Sequence, residues 1–122
     1  KDAGRLDPFV ILGFGTNDQL EPEKLEEVMQ LVGPERMVIM IMPYGDRQWI
    51  PQSQAVIAEA QNTYPNLFVA DWCQRARADK TLLHTDLIHP SPEGVRQYTN
   101  SIDSAFHQWA NHRKRPVTQC GV

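Results

Sequence analysis

Met37-Val38-Ile39-Met40-Ile41-Met42-Pro43 is an unbroken apolar run closed by a proline. An amphipathic strand would alternate apolar and polar residues. A continuous run signals a strand buried on both faces, as in a parallel sheet covered by helices. Similar runs lie on either side, at Pro8-Phe9-Val10-Ile11-Leu12-Gly13-Phe14-Gly15 and at Leu67-Phe68-Val69-Ala70-Asp71. Helical patterns separate them. Pro22 to Val32 places Leu25, Val28, Met29 and Val32 on one side at three-and-four spacing, and Gly33-Pro34 stops it. Pro51 to Tyr64 is a weaker helix built on Ala55, Val56, Ile57, Ala58 and Ala60. In the last helix Ser91 caps, Pro92 opens, and Val95, Tyr98, Ile102, Ala105, Phe106 and Trp109 form the apolar side. The order strand, helix, strand, helix, strand, irregular segment, helix implies right-handed parallel crossovers. The expected fold is α/β: a three-layer, flavodoxin-like parallel sheet.

Composition is that of an ordinary globular domain. The 122 residues are 41% hydrophobic and 22% charged, with a net charge of -3. The one basic cluster, His112-Arg113-Lys114-Arg115, reads as a solvated helix end favoured by the helix dipole, and no dense basic face points to nucleic acid. No apolar run reaches the roughly 20 residues that span a bilayer. Two cysteines, Cys73 and Cys120, allow one disulfide or two separate thiols. The chain opens on Lys1-Asp2-Ala3-Gly4, without an initiating Met, so we expect a trimmed piece of something longer.

In parallel sheets, ligands bind at the carboxyl ends of the strands. Two motifs fall there. In Gly13-Phe14-Gly15-Thr16-Asn17-Asp18, glycines let the backbone turn tightly, and the Asn17 amide offers two uncharged donors that can stabilise an oxyanion. The alternative is a simple turn or helix cap. The glycines fit neither a dinucleotide fingerprint nor a phosphate loop, which argues against a nucleotide-binding regulator. In Asp86-Leu87-Ile88-His89-Pro90, an Asp three residues before a His can accept from one imidazole nitrogen, leaving the other to take a proton from a nucleophile. The alternative is a surface turn.

The two motifs bracket three strands in a fixed order. This resembles the SGNH hydrolase family, the GDSL-like esterases and acyltransferases. Gly15-Thr16-Asn17-Asp18 is similar to the family's third block, whose Asn donates to the oxyanion. Asp86-Leu87-Ile88-His89-Pro90 is similar to its fifth, which carries the catalytic Asp and His, and Gly94 and Tyr98 follow in like positions. The resemblance implies that residues 1–122 are the C-terminal portion of one SGNH-like domain. It implies catalytic roles for Asn17, Asp86 and His89, and no cofactor. It also implies a serine nucleophile outside this chain: Ser53, Ser91, Ser101 and Ser104 all lack the family's Gly-Asp-Ser context.

Asp71-Trp72, with its spacing to Asp86, resembles the extracytoplasmic SGNH domains attached to membrane acyltransferases. That implies a bacterial cell-surface location, a membrane acyltransferase domain in the same parent chain, and a small ester or acetylated carbohydrate as substrate. Gly15, Tyr44 and Trp49 are candidate substrate-binding residues, packing being the alternative for the two aromatics. His84 reads as a solvated loop residue, and no spaced His/Cys/Asp set suggests a metal. The strand at Phe9–Leu12 is internal in the family's sheet, so we expect an open edge here, covered by a preceding segment or a second copy. The rival reading is a non-catalytic SGNH-like module that binds carbohydrate or protein without turnover.

Overall fold

The computed structural model of the chain describes residues 8–16 and 18–120. Three strands, β1 (Phe9–Leu12), β2 (Met37–Ile41) and β3 (Leu67–Ala70), form one parallel sheet in the order β1-β2-β3. Phe9 registers with Met37, and Ile39 with Phe68. Four α-helices accompany them: α1 (Pro22–Val32), α2 (Ile50–Thr63), α3 (Trp72–Ala78) and α4 (Pro92–Ala110). Two successive right-handed crossovers in one direction put α1 and α2 on the same face of the sheet. The long helix α4 packs against β3 and β2 and against α3, which completes the third layer. The α/β parallel sheet read from the sequence is therefore the observed one.

β2 and β3 are buried at every position. β1 is not: Val10 and Leu12 are half-buried and pack on the core, while Phe9 and Ile11 are 41% and 50% exposed. Phe9 makes edge contacts with Phe106 and Trp109 of α4, both at 5.4 Å between ring centroids, yet stays half in solvent. The cause is position in the sheet. Among the described residues, β1 has a strand on one side only.

Several local expectations need correction. The segment after β3, read as irregular apart from a short helical stretch beside Cys73, forms the seven-residue α3 and then a 3₁₀ turn at Lys80–Leu82. In α4, Val95 (56% exposed) and Trp109 (39%) lie largely off the core-facing side. In α2 the buried side is partly polar, because Ser53, Gln54 and Gln61 are buried beside Ile50, Ile57 and Ala60. These polar groups hold other segments. Ser53 Oγ accepts from Leu20 N at 2.9 Å, Gln54 Nε2 donates to Pro43 O at 2.9 Å, and Gln61 Nε2 donates to Arg115 O at 2.8 Å.

The tail after α4 folds back over the sheet. Lys114 donates to the carbonyls of Gln61 and Tyr64 and sits 5.0 Å from the Phe68 ring centre. Partial burial lowers its pKa. The tail ends in a Cys73–Cys120 disulfide with a Cα separation of 6.4 Å, which resolves the choice between a bridge and two thiols.

Candidate active site

The segment between the 3₁₀ turn and α4 is a tight, internally bonded loop. Leu83 bridges Pro90, His84 N donates to His89 O at 2.8 Å, and Leu87 N donates to His84 O at 2.9 Å. Leu87 sits at φ 58°, the left-handed region that a branched side chain enters only when its surroundings impose it. Asp86 supplies much of that constraint. Its Oδ1 accepts from Ile88 N at 2.9 Å and from His89 N at 3.1 Å.

The other carboxylate oxygen, Oδ2, lies 2.6 Å from His89 Nδ1. Hydrogen bonding to the His89 ring, then to the two backbone N–H groups, holds the Asp86 carboxyl well below the usual carboxylate range. An ionised carboxylate only accepts, so the Nδ1 proton belongs to the ring. Nε2 is then the basic nitrogen. It has no hydrogen-bond partner among the described residues, and the side chain is 73% exposed. This is the arrangement a general base needs: one nitrogen anchored, the other turned to the reactant.

His89 borders a cleft of about 140 Å³ at the carboxyl ends of the strands. Gly13, Phe14 and Thr16 line it from the loop after β1, and Ile41 and Pro43 from the end of β2. Trp72 and Tyr98, whose ring centres lie 5.3 Å apart, contribute from α3 and α4. Burial raises the pKa of Tyr98, which stays a neutral phenol. The loop that carries position 17 and the loop that carries His89 thus share one rim. Asn17 itself lies outside the described residues.

The glycine loop is held by α2. Gly15 has φ 94°, and a Cβ there would fall 2.8 Å from Ser53 Cβ, so only glycine fits. Trp49 Nε1 donates to Thr16 O at 3.1 Å. Trp49 therefore clamps the loop rather than lining the cleft. Tyr44 is not at the His89 cleft either. It is 4% exposed and borders a separate depression with Asp46 and Leu87. The reason is Gly45, which packs against Ile88 and Ile50 with no room for a side chain.

His84 is exposed and serves the loop through its backbone. Ser91 caps α4 by accepting from Gly94 N at 3.1 Å and donates to Thr81 O at 2.8 Å. Of the serines in the described residues, Ser53 and Ser101 are buried and Ser91 is occupied in this cap. No group of three metal-ligating side chains occurs among the described residues.

No family profile and no curated protein sequence matches the chain. A solved structure does match in fold: the C-terminal catalytic domain of peptidoglycan O-acetyltransferase A (OatA) from Streptococcus pneumoniae, carrying a methylsulfonyl adduct. The TM-score is 0.74 at 20% identity, over 91% of this chain and 68% of that one.

Proposed function

We propose that this chain is the C-terminal portion of an SGNH-type serine esterase or O-acyltransferase domain acting on ester or acetyl groups, with carbohydrate as the substrate class. The observation that carries the reading is the Asp86–His89 pair, 2.6 Å apart, at the rim of an apolar cleft that the β1 loop also lines. In this mechanism a serine outside the chain attacks the acyl carbonyl carbon. Its proton passes to His89 Nε2, while Asp86 keeps the ring oriented and favours the imidazolium. The Asn17 amide, with a glycine N–H of the neighbouring sequence, donates to the oxyanion. The alkoxide leaving group takes the proton back from His89. Water or a sugar hydroxyl then resolves the acyl-enzyme by the reverse proton path.

The cleft of about 140 Å³ is what the described residues enclose, without the segment proposed to bring the nucleophile. The fold neighbour, an O-acetyltransferase by its description, supports the proposed class. About a third of that neighbour has no counterpart here, and β1 presents an open edge beside exposed Phe9 and Ile11. Both features support a covering strand that brings the nucleophile, from a preceding segment or a second copy. The disulfide supports an extracytoplasmic setting, since such bonds persist in oxidising compartments. No helix among the described residues is long and apolar enough to cross a membrane.

The test is p-nitrophenyl acetate turnover by the complete parent protein. His89→Ala should nearly abolish it, and undiminished turnover in that variant removes His89 from the mechanism. A parent with no serine at the covering strand would convert the reading into a binding module.

A further inference from the structure

The basic residues that follow α4 have different tasks. His112, at φ 52°, turns the chain back. Lys114 is engaged by the carbonyls of Gln61 and Tyr64 and by the Phe68 ring. Arg113 and Arg115 instead line a depression of about 430 Å³ with Ser104, His107, Gln108 and Asn111. Cations at a helix end ordinarily serve the helix dipole. The contacts exclude that role for the two guanidinium groups. The last carbonyls of α4 accept from backbone donors: His107 O from Asn111 N at 3.0 Å, Gln108 O from Arg113 N at 2.9 Å, and Trp109 O from His112 N at 3.1 Å. Both arginines are exposed, and neither guanidinium has a hydrogen-bond or ion-pair partner among the described residues.

Gln108 adds an unused donor. It is only 8% exposed, and its Oε1 accepts from Arg115 N at 3.0 Å, which holds the amide beside Arg115. Its Nε2 has no partner among the described residues, yet no unbonded side-chain nitrogen or oxygen is sealed from solvent there. The donor is therefore open at the wall that Gln108 and Arg115 form, which also borders the adjoining depression under Pro116 and Val117. The backbone beneath is pinned, because Arg115 O accepts from Gln61 Nε2 at 2.8 Å. Binding thus has side chains to order but no chain segment.

The lining holds no acid; Asp103 lies 3.7 Å from His107 Nδ1 but outside it. On a chain of net charge -3, this is a local concentration of positive charge and of N–H donors. It selects an anion. Two planar guanidinium forks and an amide facing one space suit the several oxygens of a phosphate, which an arginine can hold bidentately.

We propose that this depression binds a phosphate group, either free or within a phosphodiester polymer. It is separate from the acyl cleft. α4 begins beside the His89 loop, and its 19 residues run about 28 Å. Trp109, near its far end, meets Phe9, the first residue of β1. The site therefore lies at the amino end of the sheet, where it holds a phosphate-bearing molecule without taking part in the chemistry. It rests on no step of the function proposed above.

The experiment is an amide-resolved NMR titration of the chain at low ionic strength, with inorganic phosphate and with poly(glycerol phosphate) as probes. It is repeated on Arg113→Ala, Arg115→Ala and Arg115→Lys. Saturable shifts at Ser104, Gln108, Asn111, Arg113 and Arg115, weakened about tenfold in each alanine variant and nearly as much in Arg115→Lys, support the site. Tighter binding of the polymer per phosphate identifies the polymer as the source, and equal binding identifies free phosphate. Absence of saturable shifts with both probes, shifts confined to other surfaces, or full affinity in Arg115→Lys overturns the proposal, the last because diffuse positive charge would then suffice. Turnover of p-nitrophenyl acetate by the parent should be the same in wild type and Arg115→Ala; a loss matching the loss of phosphate binding would overturn the separation of this site from the cleft.

Discussion

Gly94 is where local propensity and tertiary packing make opposite predictions. It lies in the first turn of α4, where alanine would favour the helix by about 0.8–1 kcal/mol. A Cβ at this position, however, would overlap the Leu82 carbonyl oxygen and lie 2.8 Å from the carbonyl carbon. Carbon atoms in good contact sit about 3.5–4.0 Å apart, so helix and 3₁₀ turn must separate by about 1 Å. That separation breaks two bonds, Ser91 N to Leu82 O and Ser91 Oγ to Thr81 O, both 2.8 Å. Each is worth about 1 kcal/mol, and the overpacking costs a further 1–3 kcal/mol or so.

After the propensity gain, the net loss in Gly94→Ala is about 2–4 kcal/mol. For a domain of this size that lowers Tm by roughly 8–15 °C. Calorimetry of wild type and variant reads it directly. The same displacement moves Pro90 and with it His89. In the complete parent the variant should therefore lose about a hundredfold in ester turnover, the cost typical of a 1 Å misplacement. A Tm equal to or above that of the wild type would refute the reasoning, because propensity would then have won.

Other expectations follow from the same contacts. Cys120→Ser opens a loop with a sequence separation of 47, which chain entropy values at about 4 kcal/mol, so Tm should fall and reductant should reproduce the effect in the wild type; a Tm insensitive to both would contradict the bridge. Ser53→Ala leaves the buried Leu20 N–H without its acceptor and should cost about 1–3 kcal/mol in urea unfolding, whereas a neutral result would mean that the β1 loop is not held from α2. Asp86 is held below the unfolded carboxylate value of about 3.9. A depressed folded pKa means that its stabilisation is fully present above that value and is lost only as pH falls through the folded one. A carboxyl NMR titration should thus show Asp86 still ionised where ordinary aspartates are half protonated, and a midpoint at or above the ordinary value would count against the His89 contact.

The sheet was legible because its central strands are buried on both faces: Met37 to Ile41 and Leu67 to Ala70 carry no polar residue that would permit another reading. The Asp86–His89 pair was legible because three-residue spacing in a proline-stiffened turn brings the side chains together locally. What could not be read depends on distant partners. Ser53 and Gln54 sit in a helix like any polar pair, and only the chain 33 residues earlier and 11 residues earlier makes them supports. The disulfide was permitted by the cysteine count but needs the tail to fold back, a contact without local periodicity. Tyr44 lies at the carboxyl end of the sheet, but the turn at Gly45 sets it beside a depression other than the His89 cleft, which adjacency in sequence does not reveal.

The account stands on which nitrogen of His89 bears the proton at neutral to alkaline pH. Long-range nitrogen–proton NMR correlation of the imidazole ring distinguishes the tautomers. The geometry requires a proton on Nδ1, facing Asp86, and a bare Nε2 facing the cleft; a ring protonated on Nε2 instead would leave no base there to receive a proton from any nucleophile.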